Sequence, residues 1–290
     1  GSFFVEKLSK ENYDLIYANT IVSLPIASKI ISSNSTSKLI AHVHELNAII
    51  REGLPSFKSL SKSINQFIAP SQLVKNNLID NWSINSENID VVYECAKIKV
   101  NSLNNKKDKV FTVGASGTVH WRKGHDVFLQ IARFINSNYP DYTINFEWVG
   151  RIPENEKIIL EEDLNKLDLK ERVVFIGEVE NPSTYFSNFD VFVMTSREDP
   201  FPLVCIEVGM LGKPIISFDK AVGTNEILKE AGGYIVPYLN IELMSEKIID
   251  YYNNPELIVN HGNKNKTAFS QFTPEIICPE LFSVIEKTMS

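Results

Sequence analysis

The sequence predicts an α/β protein with two domains, each built on a parallel β-sheet covered by helices. Short runs of β-branched and aromatic residues alternate with helical patterns along the chain. Near-continuous apolar strands of this kind are typical of parallel sheets that are buried on both faces. The polar, Asn- and Lys-rich segment 99–109 interrupts the alternation and is interpreted as a linker. With 290 residues, the chain is long enough for two domains joined near residue 105.

Four strand candidates precede this linker, namely DLIYAN (14–19), KLIAHVH (38–44), QFIAPS (66–71) and IDVVYE (89–94). After the linker the alternation is more regular. The strand candidates there are VFTVGAS, INFEWVG, VVFIGEV, VFVMTS, PIISFD and GYIVPY. The helical patterns between and after them lie at 125–137, 154–167, 202–211 and 241–253. In such sheets, ligands bind beyond the carboxyl ends of the strands, so the strand-to-helix turns are the places to search.

Composition excludes some classes of function. The formal net charge of −7 argues against a nucleic-acid-binding protein. No apolar run approaches the roughly 20 residues of a membrane-spanning helix. The three cysteines, Cys95, Cys205 and Cys278, are far apart and lack metal-site spacing. We expect them to be reduced thiols in a cytoplasmic protein.

The turn after VFTVGAS is rich in glycine and basic residues. GASGTVHWRKG contains Gly117 and Gly124 together with Arg122 and Lys123, and a helix is predicted from residue 125. Glycine allows the backbone to approach an anion closely, and a lysine adds a positive charge. The spacing matches neither the P-loop nor the dinucleotide-binding pattern. A tight turn with surface cations therefore remains the alternative to a phosphate site.

The second turn of interest, REDPFP, links the strand VFVMTS to a helix that is predicted to begin about Pro202. The amides of Phe201, Leu203 and Val204 can donate hydrogen bonds to an anion at this helix start. Asp199 precedes the helix, and Glu207 lies on it eight positions later. A phosphate with sugar hydroxyl groups on either side would use all of these groups.

Glu207 is the only charged residue in an otherwise apolar or small stretch from Pro202 to Leu211. A helix that is apolar on all sides is normally buried, and a buried carboxylate needs a partner. Two alternatives follow from the residues alone. Glu207 faces ligand hydroxyl groups, or it is a core residue paired with a cation such as Arg197 or Lys213.

These motifs resemble glycosyltransferase family 4, which contains retaining enzymes of the GT-B fold. EDPFPLVCIE resembles the E-x7-E signature of the family, with Asp199 in place of the first glutamate. The segments GTVHWRKGHDVFLQIA, VVFIGEVENPSTYFSNFDVFVMTSRED, HVHEL and FIAPSQLVKNNLI also resemble the family. The resemblance covers residues 13–290 and the later two thirds of such an enzyme.

The resemblance implies the role of each candidate residue. Glu207 binds the ribose of a nucleotide-sugar donor, Asp199 and the following amides hold the transferred sugar, and Lys123 binds the phosphates. His44, rather than His42, lies near the reaction centre. The implied binding set is Gly117, Thr118, Arg122, Lys123, Gly177, Val179, Phe201, Leu203, Val204 and Glu207, with Glu178 beside the base. Thr118 stands where many relatives have arginine, so one cation is missing unless Arg122 replaces it.

The implied fold is GT-B, with two Rossmann-like domains facing a cleft and the N-terminal one incomplete. The domains expected are 1–105 on the acceptor side, 106–272 for the donor, and a helix at 273–290 that crosses back to the first domain. We found no counterpart of the family's Gly-rich acceptor loop or of its first strands. We therefore expect that an upstream segment, self-association or a partner chain completes the N-terminal part.

The implied activity is retaining sugar transfer from a nucleotide sugar, by family habit a UDP-sugar, to a glycan or lipid-linked acceptor in bacterial surface polysaccharide or glycoconjugate synthesis. The absence of a DxD motif favours an enzyme without a metal or another cofactor. The expected location is cytoplasmic, with peripheral membrane association. A donor-binding but inactive module and, less strongly, a sugar-nucleotide epimerase are the alternatives.

Overall fold

The computed structural model describes residues 2–33, 36–98 and 110–290. The chain forms two compact units, one comprising Gly1–Cys95 with Phe272–Ser290 and the other Ala96–Gln271. The first unit thus ends at Cys95, whereas the sequence suggested 105, and the predicted linker 99–109 lies outside the described residues. The first unit resumes at Phe272, whose ring packs edge-on against Tyr93 with 5.5 Å between the ring centroids.

The first unit contains a four-stranded, parallel sheet with the strand order β1-β2-β3-β4. Its strands are β1 (Leu15–Asn19), β2 (Lys38–His42), β3 (Gln66–Ala69) and β4 (Ile89–Val91). The helices before and between them are α1 (Ser2–Leu8), α2 (Leu24–Ser32), α3 (Asn47–Gly53), α4 (Phe57–Leu60) and α5 (Gln72–Trp82). Every residue of β3 and all of β2 except Lys38 are buried, which explains their continuous apolar character.

The second unit contains a six-stranded parallel sheet with the order β10-β9-β8-β5-β6-β7. Its strands are β5 (Phe111–Ser116), β6 (Ile144–Val149), β7 (Val173–Gly177), β8 (Val191–Met194), β9 (Ile215–Phe218) and β10 (Gly233–Val236). The helices are α6 (His125–Asn138), α7 (Glu154–Lys166), α8 (Ser183–Phe186), α9 (Leu203–Met210), α10 (Asn225–Leu228), α11 (Ile241–Asn253) and α12 (Pro255–Phe269).

The strand order of the second unit determines where its ligand site can form. From the central strand β5 the chain builds outward through β6 and β7 on one side, and then through β8, β9 and β10 on the other. A crevice opens where the strand order reverses, at the carboxyl ends of β5 and β8. The Gly-rich turn follows β5 and the loop REDPFP follows β8, so the topology brings both predicted motifs to this crevice.

The last helix, α13 (Pro274–Met289), belongs to the first unit. It packs against β2, and its Lys287 forms an ion pair with Asp90 on β4, with 3.3 Å between Nζ and Oδ2. The predicted parallel-sheet architecture is therefore confirmed for both units. In the described part of the chain, every helix is too short or too polar to cross a lipid bilayer.

Candidate functional site

The two predicted loops of the second unit are held against each other by the backbone. The backbone amide of Arg197 donates to the carbonyl oxygen of Arg122 at 2.8 Å, and the Thr195 hydroxyl group donates to the carbonyl of Lys123 at 3.0 Å. Gly124 has a φ of 72°, and a Cβ atom there would lie 2.0 Å from the carbonyl oxygen of Thr195. Only glycine allows this close approach of the two strand ends.

The side chain of Lys123 ends in a buried cluster of charges. Its Nζ donates to Oδ2 of Asp199 at 2.6 Å, and the hydroxyl group of Ser196 donates to the same oxygen at 3.0 Å. Arg122 lies on the other side, with its Nη1 3.5 Å from Oδ1 of Asp199 and 2.9 Å from the carbonyl oxygen of Glu198. The Asp199 carboxylate thus lies among three protein donors, and the residue is only 4% exposed.

Gly117 makes room for the stem of Lys123. Its φ is 146°, and a Cβ atom there would lie 3.0 Å from the Cγ and Cδ atoms of Lys123. Its amide donates to the carbonyl of Val149 at 3.0 Å, so the turn is fixed to the neighbouring strand β6. Thr118, by contrast, is exposed. The sequence predicted that these residues share one turn, with a phosphate site as one alternative, and the structure shows how Gly117 accommodates the lysine side chain.

Helix α9 begins one residue later than the sequence predicted. Pro202 has a ψ of 121°, so it is the extended residue before the helix, and Leu203 is the first helical residue. No side chain caps this end of α9. The amide of Cys205 donates to the carbonyl of Pro202 at 3.0 Å, which leaves the first amides, those of Leu203 and Val204, without an acceptor within the helix. Phe201 is buried beside them.

Glu207 is half-buried on α9, and burial raises the pKa of its carboxyl group. Neither alternative partner contacts it among the residues that the structure describes. Arg197 instead forms a bidentate ion pair with Asp126, with N–O distances of 2.9 and 2.8 Å, and the Nζ of Lys213 donates to the carbonyl of Ser187 at 2.7 Å. The Glu207 carboxylate therefore retains its full capacity to accept hydrogen bonds.

Cys205 lies on α9 and is fully buried. Burial is the main cause that raises the pKa of Cys205 to about 12. The hydrogen bond with Thr224 and the charge of Lys123 lower this pKa, and the charges of Asp199 and Glu207 raise it. A fully buried thiol with a raised pKa is a poor nucleophile, so Cys205 is a structural residue.

The remaining predicted residues of the second unit follow β7. Gly177 ends this strand with a φ of 87°, and no described atom lies within 4 Å of the position that a Cβ atom would take there. Its carbonyl accepts a hydrogen bond from the amide of Gly150 at 2.9 Å, at the end of the neighbouring strand β6. Glu178 is exposed, and Val179 is partly buried. The backbone at this strand end is thus open on one side.

His44 of the first unit belongs to a separate polar cluster, which also contains Tyr17, Asn19, His42 and Glu94. Nδ1 of His44 lies 2.8 Å from Oε1 of Glu94, and its Nε2 lies 2.8 Å from Oδ1 of Asn19. The ring of His42 lies beside that of His44, with 3.9 Å between the centroids, and Nδ1 of His42 lies 2.7 Å from the Tyr17 hydroxyl group. We call these five residues the histidine cluster.

Burial strongly affects the titration of the histidine cluster. It lowers the pKa of His42 to about 4, together with the charge of His44, and it raises the pKa of Tyr17 to about 12. Burial alone would raise the pKa of Glu94, but the hydrogen bond from His44 and the charges of the two histidines lower it. Glu94 is therefore ionised and His42 is neutral near neutral pH.

Sequence reasoning missed several members of both sites. Ser196 lies three residues before Asp199, a spacing that could have suggested a contact between the hydroxyl group and the carboxylate. Glu94 and Asn19 follow or end strands of the same parallel sheet as His42. Because carboxyl ends of parallel strands meet at one edge, these positions could have been grouped with the histidines.

Sequence comparison finds one family over most of the second unit. The family model Glycosyl transferases group 1 matches residues 96–268. An uncharacterised glycosyltransferase of Haemophilus influenzae is 27% identical over 185 residues, which is 63% of this chain and 50% of that protein. The capsular polysaccharide biosynthesis glycosyltransferase CapM of Staphylococcus aureus is 28% identical over 231 residues, 78% of this chain and 60% of CapM. The chain thus spans half to 60% of the length of these two relatives.

Solved structures resemble the fold of the whole chain. Anabaena HepE, crystallised with UDP and glucose, superposes with a TM-score of 0.84 at 20% identity, covering 98% of this chain and 80% of HepE. Sucrose-phosphate synthase from Thermosynechococcus elongatus superposes with a TM-score of 0.83 at 19% identity, covering 98% and 77%. The chain has the GT-B fold, with two parallel-sheet, Rossmann-like domains. Since the family model covers more than half of the 290 residues, the chain belongs to the glycosyl transferases group 1 family.

Proposed function

We propose that the chain is a retaining glycosyltransferase that transfers a sugar from a UDP-sugar to an acceptor in bacterial surface polysaccharide synthesis. The observation that carries the proposal is Glu207, a half-buried carboxylate without a partner among the described residues, on the helix whose first amides are open. CapM, a capsular polysaccharide biosynthesis glycosyltransferase, and HepE, crystallised with UDP and glucose, support the choice of donor and pathway class.

In this proposal the diphosphate binds at the start of α9. The amides of Leu203 and Val204 donate to the phosphate oxygens, and the helix dipole favours the negative charge. Lys123 can contribute without leaving Asp199, because an ammonium group has three N–H donors and Asp199 takes one of them. Arg122 supplies a second cation close to the same position. The guanidinium group compensates for the exposed Thr118.

Glu207 accepts hydrogen bonds from the two ribose hydroxyl groups. A carboxylate that pairs with two neighbouring hydroxyl groups satisfies its lone pairs and compensates for its burial. The base lies against the open backbone beyond Gly177, with Glu178 and Val179 at its edge. No charged side chain is needed for the base, since backbone groups can recognise the edge of uracil.

Asp199 holds the transferred sugar through Oδ1, the carboxylate oxygen that Lys123 and Ser196 leave available. The sugar–phosphate bond loosens into an oxocarbenium-like state, and negative charge builds up on the departing diphosphate. Lys123 and the α9 amides stabilise that charge without reorganisation. The leaving phosphate takes up the acceptor proton, so neither a protein nucleophile nor a metal ion takes part.

The acceptor is a glycan or a lipid-linked sugar, and the protein acts in the cytoplasm at the inner face of the membrane. A second candidate is a module that binds the donor but needs a further segment or partner chain for transfer. The observation that favours this candidate is that the family model matches residues 96–268, which belong to the second unit.

Isothermal titration with UDP, ADP and GDP tests the donor site. We expect UDP to bind most tightly, and Glu207→Gln and Lys123→Ala to weaken binding about ten- to hundredfold, the cost of losing a hydrogen bond to a charged group. Glu154→Gln and Lys157→Ala are matched controls, because these two side chains pair with each other at the surface of α7. Unchanged UDP affinity in both site variants would disprove the assignment.

Asp199→Asn separates sugar binding from nucleotide binding. We expect the affinity for UDP to stay nearly unchanged, while the affinity for the intact UDP-sugar and its turnover fall. An equal loss for UDP and UDP-sugar contradicts the role given to Asp199. Transfer to an oligosaccharide acceptor, compared with hydrolysis of the donor, then distinguishes an active transferase from a donor-binding module.

A further inference from the structure

We propose that His42, His44 and Glu94 form a binding site for a divalent transition-metal cation of the zinc type within the first unit. Each of the three side chains offers one ligand atom, and these atoms lie within 4.8 Å of one another. This inference rests on the histidine cluster alone and is independent of the proposed function.

Two imidazoles and one carboxylate are a typical set of ligands for Zn²⁺. Zinc binds histidine nitrogen at about 2.0–2.1 Å and carboxylate oxygen at about 2.0–2.2 Å, so tetrahedral ligands lie about 3.4 Å apart. Nδ1 of His44 is already 2.8 Å from Oε1 of Glu94. Shifts of about 1 Å in side-chain position would therefore suffice to enclose an ion. Three protein ligands leave a fourth position for water or another ligand.

The ring nitrogens that would not bind the ion already have oxygen partners. Nε2 of His44 lies 2.8 Å from the amide oxygen of Asn19, which can only accept a hydrogen bond. Nε2 of His44 therefore carries a proton, and a bound cation would replace the proton that Nδ1 shares with Glu94. Nδ1 of His42 is 2.7 Å from the Tyr17 hydroxyl group. Such outer partners fix the tautomer and the ring orientation of metal-binding histidines.

The unsatisfied nitrogen of His42 is a separate indication of a ligand. Nε2 of His42 is buried and has no hydrogen-bond partner among the described residues, and the whole residue is 7% exposed. Buried polar atoms are normally paired, and each exception calls for an explanation. A bound cation would satisfy this lone pair. A proton shared between His44 and Glu94 would leave Nε2 of His42 without a partner.

The ion has a route from solvent and a rigid support. The side chains of His44 and Glu94 are each 26% exposed, so one side of the cluster is open. Asn19 and His42 are register partners at the ends of β1 and β2. The backbone amide of Thr20 donates to the carbonyl of His42 at 2.9 Å, which fixes these two strand ends together. The ligands therefore lie at the carboxyl edge of the sheet, on backbone that the ladder holds in place.

Titration of the metal-free protein with ZnCl2, followed by calorimetry, tests the site directly, and CoCl2 provides an absorption spectrum that reports the coordination. We expect one ion per chain with micromolar or tighter affinity and a tetrahedral Co²⁺ spectrum. Glu94→Gln and His44→Ala should weaken binding at least tenfold. Tyr17→Phe, which removes only the outer partner of His42, should weaken it about ten- to hundredfold.

The control variants distinguish Zn²⁺ binding at the histidine cluster from Zn²⁺ binding elsewhere on the chain. Asp90→Asn removes a carboxylate from the same unit, where it contacts Gln66 and Lys287, and should leave Zn²⁺ affinity unchanged. Cys95→Ser with Cys278→Ser tests the two thiols, which lie close to each other. No Zn²⁺ binding by the wild-type chain, or equal binding by Glu94→Gln and wild type, would overturn the proposal. Loss of binding in the cysteine variant alone would overturn it as well.

Discussion

The two units each collect polar side chains beyond the carboxyl ends of parallel strands, but they leave different kinds of groups open. In the second unit the open groups are mainly donors, the first amides of α9 and the remaining N–H bonds of Lys123, with Glu207 as an acceptor beside them. In the histidine cluster the open group is Nε2 of His42, which lies beside the hydrogen-bonded pair of His44 and Glu94.

We infer from this difference that the type of open group, rather than the type of residue, indicates which ligand a site can bind. Donors around one acceptor suit a phosphate with neighbouring hydroxyl groups. A set of convergent lone pairs suits a cation. Both sites contain carboxylates and basic side chains, and composition alone would not distinguish them. The following predictions test this contrast, from the largest expected effect to the smallest.

Asp199→Ala should destabilise the second unit most. It leaves the largely buried ammonium group of Lys123 without its counter-charge, and breaking a buried ion pair by removing one partner costs about 3–5 kcal/mol. Chemical denaturation measures the change in the free energy of unfolding. The double variant Asp199→Ala, Lys123→Met should recover a large part of the loss. If the single variant unfolds like wild type, the pair contributes nothing and the description of this site as a paired cluster fails.

Glu207→Gln and Glu94→Gln should affect different ligands. We expect Glu207→Gln to weaken UDP binding about ten- to hundredfold and to leave Zn²⁺ binding unchanged. Glu94→Gln should weaken Zn²⁺ binding at least tenfold and leave UDP binding unchanged. Thermal shifts with each ligand measure both effects, because a ligand that binds only the folded state raises its melting temperature. A variant that loses both ligands would remove the distinction between the two sites.

Arg197→Lys should reduce the free energy of unfolding by a smaller amount. The lysine keeps the positive charge but loses part of the hydrogen bonding that holds the loop after β8 in place. Arg197 forms two hydrogen bonds with Asp126, donates to the carbonyl of Trp121 at 2.8 Å and lies 5.3 Å from the centre of the Trp121 ring. Lysine cannot reproduce this planar arrangement. We expect a loss of about 1 kcal/mol, or about 2–4 °C in melting temperature. Lys157→Ala, at the solvent-exposed pair with Glu154, is the control, and an equal change there would contradict the supporting role.

Glu207→Gln should also stabilise the ligand-free protein slightly at neutral pH. Burial raises the pKa of Glu207 in the folded state, so between the unfolded and folded pKa values the native state binds more protons. The contribution of Glu207 to the free energy of unfolding is therefore most favourable at low pH, and it decreases as the pH rises above about 4.5. The glutamine variant lacks this penalty. The gain in the free energy of unfolding of Glu207→Gln should appear above that pH and vanish below it. We expect this gain to be less than about 1 kcal/mol, because solvent screens the partly exposed group.

Denaturation of wild type and Glu207→Gln at several pH values measures this last effect. Glu154→Gln, which changes an exposed carboxylate on α7, serves as the control. If Glu207 were instead paired in the core, the glutamine variant would be less stable than wild type at neutral pH. A gain in stability together with a loss of UDP affinity is the combination that only a ligand-binding carboxylate produces.

The architecture could be predicted because it depends on local patterns. All ten strands lie within or close to the predicted runs, and the four named helical stretches are helices. Buried strands of a parallel sheet are apolar on both faces, so their type and position follow from the amino-acid sequence. The predicted start of α9 was one residue too early, because proline is compatible both with the first helical position and with the position before it.

The candidate site could be predicted only in part. The sequence indicated the Gly-rich turn and the loop after β8 as candidate anion-binding segments, but it did not indicate the partners of their charged side chains. Arg197 could have paired with Glu207, and the structure pairs it with Asp126, 71 residues away in the sequence. Such choices depend on distances that arise from the packing of β5 beside β8, and no sequence spacing reports them.

By itself, the sequence determined the two parallel-sheet units, the strand ends at which polar residues gather, and the misfit of Glu207 in an apolar helix. Tertiary structure alone decided that Lys123 pairs with Asp199, that Glu207 has no partner among the residues that the structure describes, and that Glu94 lies beside the two histidines. The physical reason is that periodicity and turn chemistry act over a few residues. Pairing of charges and lone pairs instead depends on which strand ends the fold brings to the same edge.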